Sequence, residues 1–166
     1  MPDAKKYILD QQAAEKKLRR MALEIIENNL DEKQLILAGI QESGSVVARN
    51  IQRLIAEHSS VGTELISIRL DKRKPLAVEL SRAMDFNDKV IIVADDVASS
   101  GKTLLYAIKP FLDHHPKKIQ TLVLVERSHT SFPVRPDYVG VSLATTLQEH
   151  IYVEVEGETV LGAYLV

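Results

Sequence analysis

Residues 90–103 read VIIVADDVASSGKT: an aliphatic run, two adjacent carboxylates, then a turn of serines, glycine, lysine and threonine. The run 90–94 has no polar face and is too short for a helix, so it reads as a strand buried on both sides, as in parallel sheets covered by helices. In such sheets ligands bind beyond the carboxyl ends of the strands, where Asp95 and Asp96 are expected.

The flanking sequence supplies the rest of that sheet. QLILAGI (34–40), VGTELISIRL (61–70) and IQTLVLVE (119–126) are further apolar strands. Between and before them, helical spacing appears three times. QQAAEKKLRRMALEIIENN (11–29) aligns Ala14, Leu18, Met21, Ala22, Ile25 and Ile26 on one face, and SGSVVARNIQRLIAEH (43–58) does the same with Val47, Ile51, Leu54 and Ile55. TLLYAIKPFLDH (103–114) is the third helix, and the segment 69–88 has room for an edge strand at Leu76 to Leu80. The tail from Asp137 runs in short apolar pieces with a Glu-Gly turn at 156 and 157, the pattern of an antiparallel addition. The expectation is an α/β fold: one domain over 1–166, a central mostly parallel sheet of about five strands flanked by helices, and a small C-terminal hood over about 127–166, joined by the N-terminal segment.

Composition excludes several classes. With 21 Lys and Arg against 23 Asp and Glu the net charge is -2, so no global basic field marks a nucleic-acid binder. RNA is therefore not the favoured partner, and only KKLRR (16–20) and DKRK (71–74) are notable basic clusters. The absence of cysteine rules out disulfides, thiolate metal sites and a cysteine nucleophile. The stretch MPDAKKYILDQQAAEKK has no apolar core of a leader and no window suits a membrane span, which predicts a soluble, cytoplasmic protein. The apolar tail predicts self-association into a homo-oligomer.

The chemistry is concentrated in Asp95, Asp96 and Ser99, Ser100, Gly101, Lys102 and Thr103. A turn opening a helix can aim backbone N–H groups, hydroxyls and the helix dipole at one phosphate. Carboxylates repel phosphate but accept hydrogen bonds from hydroxyls. A ligand with a phosphate at one end and vicinal hydroxyls at the other, a ribose 5-phosphate, satisfies both halves. An ordinary strand end followed by a serine N-cap is the plainer alternative. A nucleoside-triphosphate loop is excluded, because it needs a glycine five residues before Gly101 and position 96 is Asp.

DDVASSGKT resembles the phosphoribosyl pyrophosphate signature of type I phosphoribosyltransferases. YILDQQAAEKKLRRMALEIIENN, ILAGIQESGSVVARNIQRLI and above all LVERSHTSFPVRPDYVGVSLATT are similar, in order and spacing, to the branch of pyrimidine attenuation regulators that double as uracil phosphoribosyltransferases. The resemblance implies that Asp95 and Asp96 hold the ribose hydroxyls and that 99–103 forms the 5-phosphate loop. It also implies Mg2+ carried on the donor's pyrophosphate, with no direct metal ligand from the protein. The donor would be phosphoribosyl pyrophosphate, the acceptor a nucleobase such as uracil, and the setting nucleotide salvage. A carboxylate near C1 would stabilise the positive charge that builds on the ribose as pyrophosphate leaves.

The same resemblance puts Gln41, Glu42, Ser43 and Gly44 in the pyrophosphate turn, with Lys72 and Arg73 contributing from the loop that follows the strand at 61–70. Arg127 and Val139 fall on the base side. Glu42 and Ser43 stand where this branch carries basic residues, which opens a second reading: a catalytically weak, nucleotide-sensing regulator that keeps the ribose-phosphate site. His114, His115 and His129 are assigned no chemistry.

Overall fold

The computed structural model describes residues 4–146 and 149–166. In chain order the elements are β1 (Lys6–Leu9), α1 (Gln11–Asn28), β2 (Gln34–Ile40), α2 (Ser43–His58), β3 (Gly62–Leu70), β4 (Val78–Leu80) and β5 (Val90–Ala98). They continue with α3 (Lys102–Ala107), a 3-10 turn (Lys109–Asp113), β6 (Lys118–Arg127), β7 (Tyr138–Leu143), β8 (Ile151–Glu156) and β9 (Thr159–Leu165).

Six strands form the central sheet in the order β4-β3-β2-β5-β6-β7, and three form a second sheet, β1-β9-β8. In the large sheet only β4 runs antiparallel to its neighbour. Alternation along the strands separates two cores. Val90 and Ile92 join Leu35, Leu37 and Leu122 beneath α1 and α2. Ile91 and Val93 join Ile36, Ala38 and Val123 on the opposite face, against Leu104, Phe86 and Phe111. Each central strand is thus apolar on both faces, which is why its sequence reads as a continuous run. α1 starts where Asp10 caps it, its carboxylate accepting from the Ala13 N–H at 2.7 Å.

From β2 the chain moves outward to β3, whereas from β5 it moves the other way to β6 and β7. The connections therefore diverge between β2 and β5, and an open parallel sheet has its binding crevice at that point. The turn after β2 and the acidic end of β5 meet there.

The structure corrects three expectations. β5 runs on to Ala98, so Asp95 and Asp96 lie inside the strand, paired in register with β6 through Asp95 opposite Val123. The helix expected over 103–114 stops at Ala107 and continues as a 3-10 turn, because Pro110 cannot supply the N–H that the α-helical ladder needs. The hood also starts later than 127: β7 is a parallel member of the main sheet, not an antiparallel addition. It is held there by the Tyr138 hydroxyl, which donates to Gln120 at 2.6 Å, and by the Asp137 carboxylate, which accepts from the Thr121 N–H at 2.8 Å. The small sheet consists of β8 and β9 with β1 from the N-terminus, all antiparallel. Among the described residues no helix is long and apolar enough to cross a membrane.

Candidate active site

The carboxyl end of β5, the turn into α3 and the hood strand β8 enclose a cleft of about 330 Å³. Ser43, Lys72, Asp96, the whole stretch Ser99 to Thr103, and Ile151, Tyr152 and Val153 all line it.

The two carboxylates occupy different environments. Successive strand residues face opposite sides, and with Lys72 in place Asp96 alone of the pair opens on the cleft. The Asp95 side chain is 1% exposed and that of Asp96 16%. Burial, then the charge of Asp96, push the Asp95 carboxyl well above the usual carboxylate range, and Lys72 pulls it only part of the way back. Lys72 Nζ lies 3.2 Å from both Asp95 carboxylate oxygens and 3.6 Å from Asp96 Oδ1. Burial works against the charge on Lys72, yet the two carboxylates outweigh it and its pKa rises above the ordinary lysine value. The sequence placed Lys72 on the pyrophosphate side; in the folded chain it sits on the acidic pair.

The loop at 99–103 is shaped by Gly101, whose φ of +85° lies in the left-handed region that favours glycine. The loop is braced from outside, because the Ser100 carbonyl accepts from the N–H groups of Ser131 at 3.0 Å and Phe132 at 3.1 Å. That use of the stretch 131–134 was not legible in the sequence. Since α3 spans only six residues, its dipole adds little, and the polar groups at this end of the cleft are the loop's own N–H groups and the hydroxyls of Ser99, Ser100 and Thr103.

The turn after β2 divides. Ser43 faces the cleft, Glu42 is exposed, and Gln41 lines a separate depression with Ser67, Arg69 and Glu79. The peptide bond between Gln41 and Glu42 is cis. Gly44 packs against the backbone of β5: a Cβ there would lie 2.9 Å from the Ala94 carbonyl oxygen and 3.0 Å from Asp95 Cα and Oδ1. Gly44→Ala is therefore expected to push the turn off Asp95 and to lower stability by about 1–3 kcal/mol, the usual range for overpacking. Thermal melting of the variant beside wild type checks this, and an unchanged melting temperature would refute the contact.

A family profile described as the phosphoribosyl transferase domain matches residues 5–158. The chain belongs to the phosphoribosyltransferase family. It is thus an enzyme of the pentosyltransferase type. It is 36% identical over 161 residues to the bifunctional protein PyrR of Clostridium novyi, covering 91% of this chain and 90% of that one. It is 31% identical over 157 residues to the bifunctional protein PyrR of Streptococcus pneumoniae, covering 90% and 89%. These relatives place the phosphoribosyltransferase in the PyrR branch. In fold it is similar to a hypoxanthine-guanine phosphoribosyltransferase from Bacillus anthracis, with a TM-score of 0.78, 19% identity and 99% of each chain covered. A hypoxanthine phosphoribosyltransferase of Trypanosoma cruzi aligns with a TM-score of 0.75 and 15% identity, over 84% of this chain and 82% of that one.

Two residues expected on the base side of this phosphoribosyltransferase lie elsewhere. Val139 is near the start of β7, opposite Val123 and packed into the second core, because β7 runs parallel to β6 and reaches the cleft end only at Leu143. Arg127 is at the correct end of β6 but outside the cleft lining; its Nη2 donates to the Glu149 carbonyl and ties down the chain that leads into β8. Arg73 is exposed, and its carbonyl accepts from Lys102 Nζ at 3.3 Å, which fastens the loop 71–77 across to the turn 99–103. The sequence missed Ile151, Tyr152 and Val153. Their alternation indicates a strand, and only the pairing with β9 shows which strand edge meets the cleft. In the cluster 16–20, Arg19 is paired with Glu15 and Glu57, and Arg20 with Glu24, so neither arginine is a free cation for a nucleic-acid backbone.

Proposed function

We propose that this phosphoribosyltransferase transfers ribose 5-phosphate from phosphoribosyl pyrophosphate to a pyrimidine base, uracil being the leading acceptor, with release of pyrophosphate. One observation carries the reading: a carboxylate, a hydroxyl-rich glycine turn and a hood strand edge line the same small cleft. The turn 99–103 takes the 5-phosphate and Asp96 accepts from the ribose hydroxyls, while Asp95, covered by Lys72, becomes available to them only when that lysine moves. β8 is the outer strand of its sheet, so one edge of its main chain is unpaired within that sheet and offers N–H and C=O groups to a planar base. The pyrimidine assignment rests on the PyrR branch.

As the bond from C1 to pyrophosphate breaks, positive charge builds on the ribose, and the Asp96 carboxylate stabilises it. The acceptor nitrogen then bonds to C1, its proton passes to water, and pyrophosphate departs. Among the described residues no three His, Cys, Asp or Glu side chains gather as a metal nest, while Asp96 opens on the cleft. That donor set fits a cation brought in on the donor. Held beside Asp96, Mg2+ would neutralise the leaving pyrophosphate.

The test is to incubate pure protein with donor, magnesium and each of uracil, hypoxanthine, guanine and adenine. Formation of uridine monophosphate with uracil is expected; no nucleoside monophosphate from any base would end the enzyme reading for this site. The exposed Glu42 in the turn after β2 favours a second reading, a nucleotide sensor with weak turnover. Calorimetry separates the two, since tight binding of a nucleoside monophosphate without turnover marks the sensor.

A further inference from the structure

The loop 71–77 carries a cation to a place that the bound ribose needs. Lys72 Nζ touches both oxygens of Asp95 and approaches Asp96, and it lines the cleft while Asp95 beneath it is shut off from solvent. For both carboxylates to accept from ribose hydroxyls, the ammonium has to leave. We propose that Lys72 is a specificity-determining residue that occupies the acidic pair in the free protein and moves to the pyrophosphate when the donor binds, so that a pyrophosphate on C1 is favoured over its absence. This rests on the sugar-phosphate reading of the cleft.

The physical basis is an exchange of partners. A ligand with ribose hydroxyls and a 5-phosphate but no pyrophosphate displaces Lys72 and gives it nothing in return. Its hydroxyls must replace an ion pair between ammonium and carboxylate with bonds from neutral donors. Phosphoribosyl pyrophosphate displaces the same ammonium and supplies a polyanion for it. The move is short-range: Lys72 is two residues beyond the end of β3, and the next residue is held over the site by the contact from Lys102 Nζ to the Arg73 carbonyl at 3.3 Å. The turn after β2, which faces this loop across the cleft, has no lysine or arginine of its own, its residues being Gln41, Glu42, Ser43 and Gly44. Lys72 is therefore the cation placed to meet the pyrophosphate on that side.

Calorimetry with ribose 5-phosphate and with phosphoribosyl pyrophosphate, on wild type and Lys72→Met, tests the exchange. The variant should bind ribose 5-phosphate about tenfold more tightly and the pyrophosphate donor about tenfold more weakly, each being the loss of one charge-assisted contact. Equal weakening of both ligands, or no change in either, overturns the proposal, because a lysine that merely balances charge would not move them in opposite directions. Lys72→Arg keeps the cation and covers the case in which the methionine variant does not fold. Its fork can engage both carboxylates together, so ribose 5-phosphate should bind more weakly than to wild type; unchanged or tighter binding there also counts against the proposal. If wild type binds neither ligand, it is the sugar-phosphate reading of the cleft that fails.

Discussion

Asp96→Asn is expected to reduce turnover by about 100-fold or more, the scale of losing one preorganised electrostatic group at a reacting centre, while the protein melts within a few degrees of wild type. Asp96 Oδ1 accepts from the Val97 N–H at 2.8 Å, a bond that an asparagine oxygen can also make, so the backbone keeps its partner. What is lost is the negative charge facing the cleft, which acts only when the ribose becomes cationic. Steady-state rates beside a thermal melt separate the two effects; retention of the wild-type rate would remove Asp96 from the chemistry. Asp95→Asn should behave differently in stability. Burial and the neighbouring Asp96 charge disfavour ionised Asp95 by more than Lys72 recovers, so the neutral amide removes a net cost even though it gives up the Lys72 ion pair. Its melting temperature is expected to hold or rise even as turnover falls.

Gly101→Val should abolish anion binding at the phosphate loop. Two effects act together. A β-branched residue at φ +85° is strained, costing about 1–3 kcal/mol. A Cβ at that position would also stand 3.0 Å from the Val134 carbonyl oxygen and 3.4 Å from that of Phe132. The loop can relieve both only by moving away from the 131–134 brace, which scatters the N–H groups that must converge on a phosphate. Affinity for ribose 5-phosphate should fall by about 100-fold, equivalent to two ordinary hydrogen bonds or one strong charge-assisted one. Crystals of wild type grown in sulfate should carry the anion at this loop, and crystals of the variant should not. A wild-type loop left empty at high sulfate, with the anion seated elsewhere, would count against the phosphate assignment.

Much of this molecule is readable because its strands are uniform environments. Apolar runs at 34–40, 90–94 and 119–126 can be buried only in a sheet covered on both faces, and the periodicity of α1 and α2 supplies one of the covers. The polar lining of the cleft, Asp96 with 99–103, was likewise legible in DDVASSGKT, because its carboxylate, hydroxyl and glycine groups are contiguous in the chain. Local sequence carried less information where a neighbour decides the outcome. β7 joins the main sheet because Tyr138 and Asp137 find Gln120 and Thr121, partners more than fifteen residues away. The same holds for Val139, which was expected at the cleft and lies in the core.

What the sequence by itself determined, then, is the α/β layering and the stretch 95–103 that supplies the polar cleft lining, since both depend on side chains close together in the chain. Tertiary structure alone decided the rest of the site. The covering of one face of β5 buried Asp95 and left Asp96 open, the β3–β4 loop delivered Lys72 to the acidic pair, and pairing with β9 placed β8 along the cleft. Each is set by distances between segments that local periodicity does not encode.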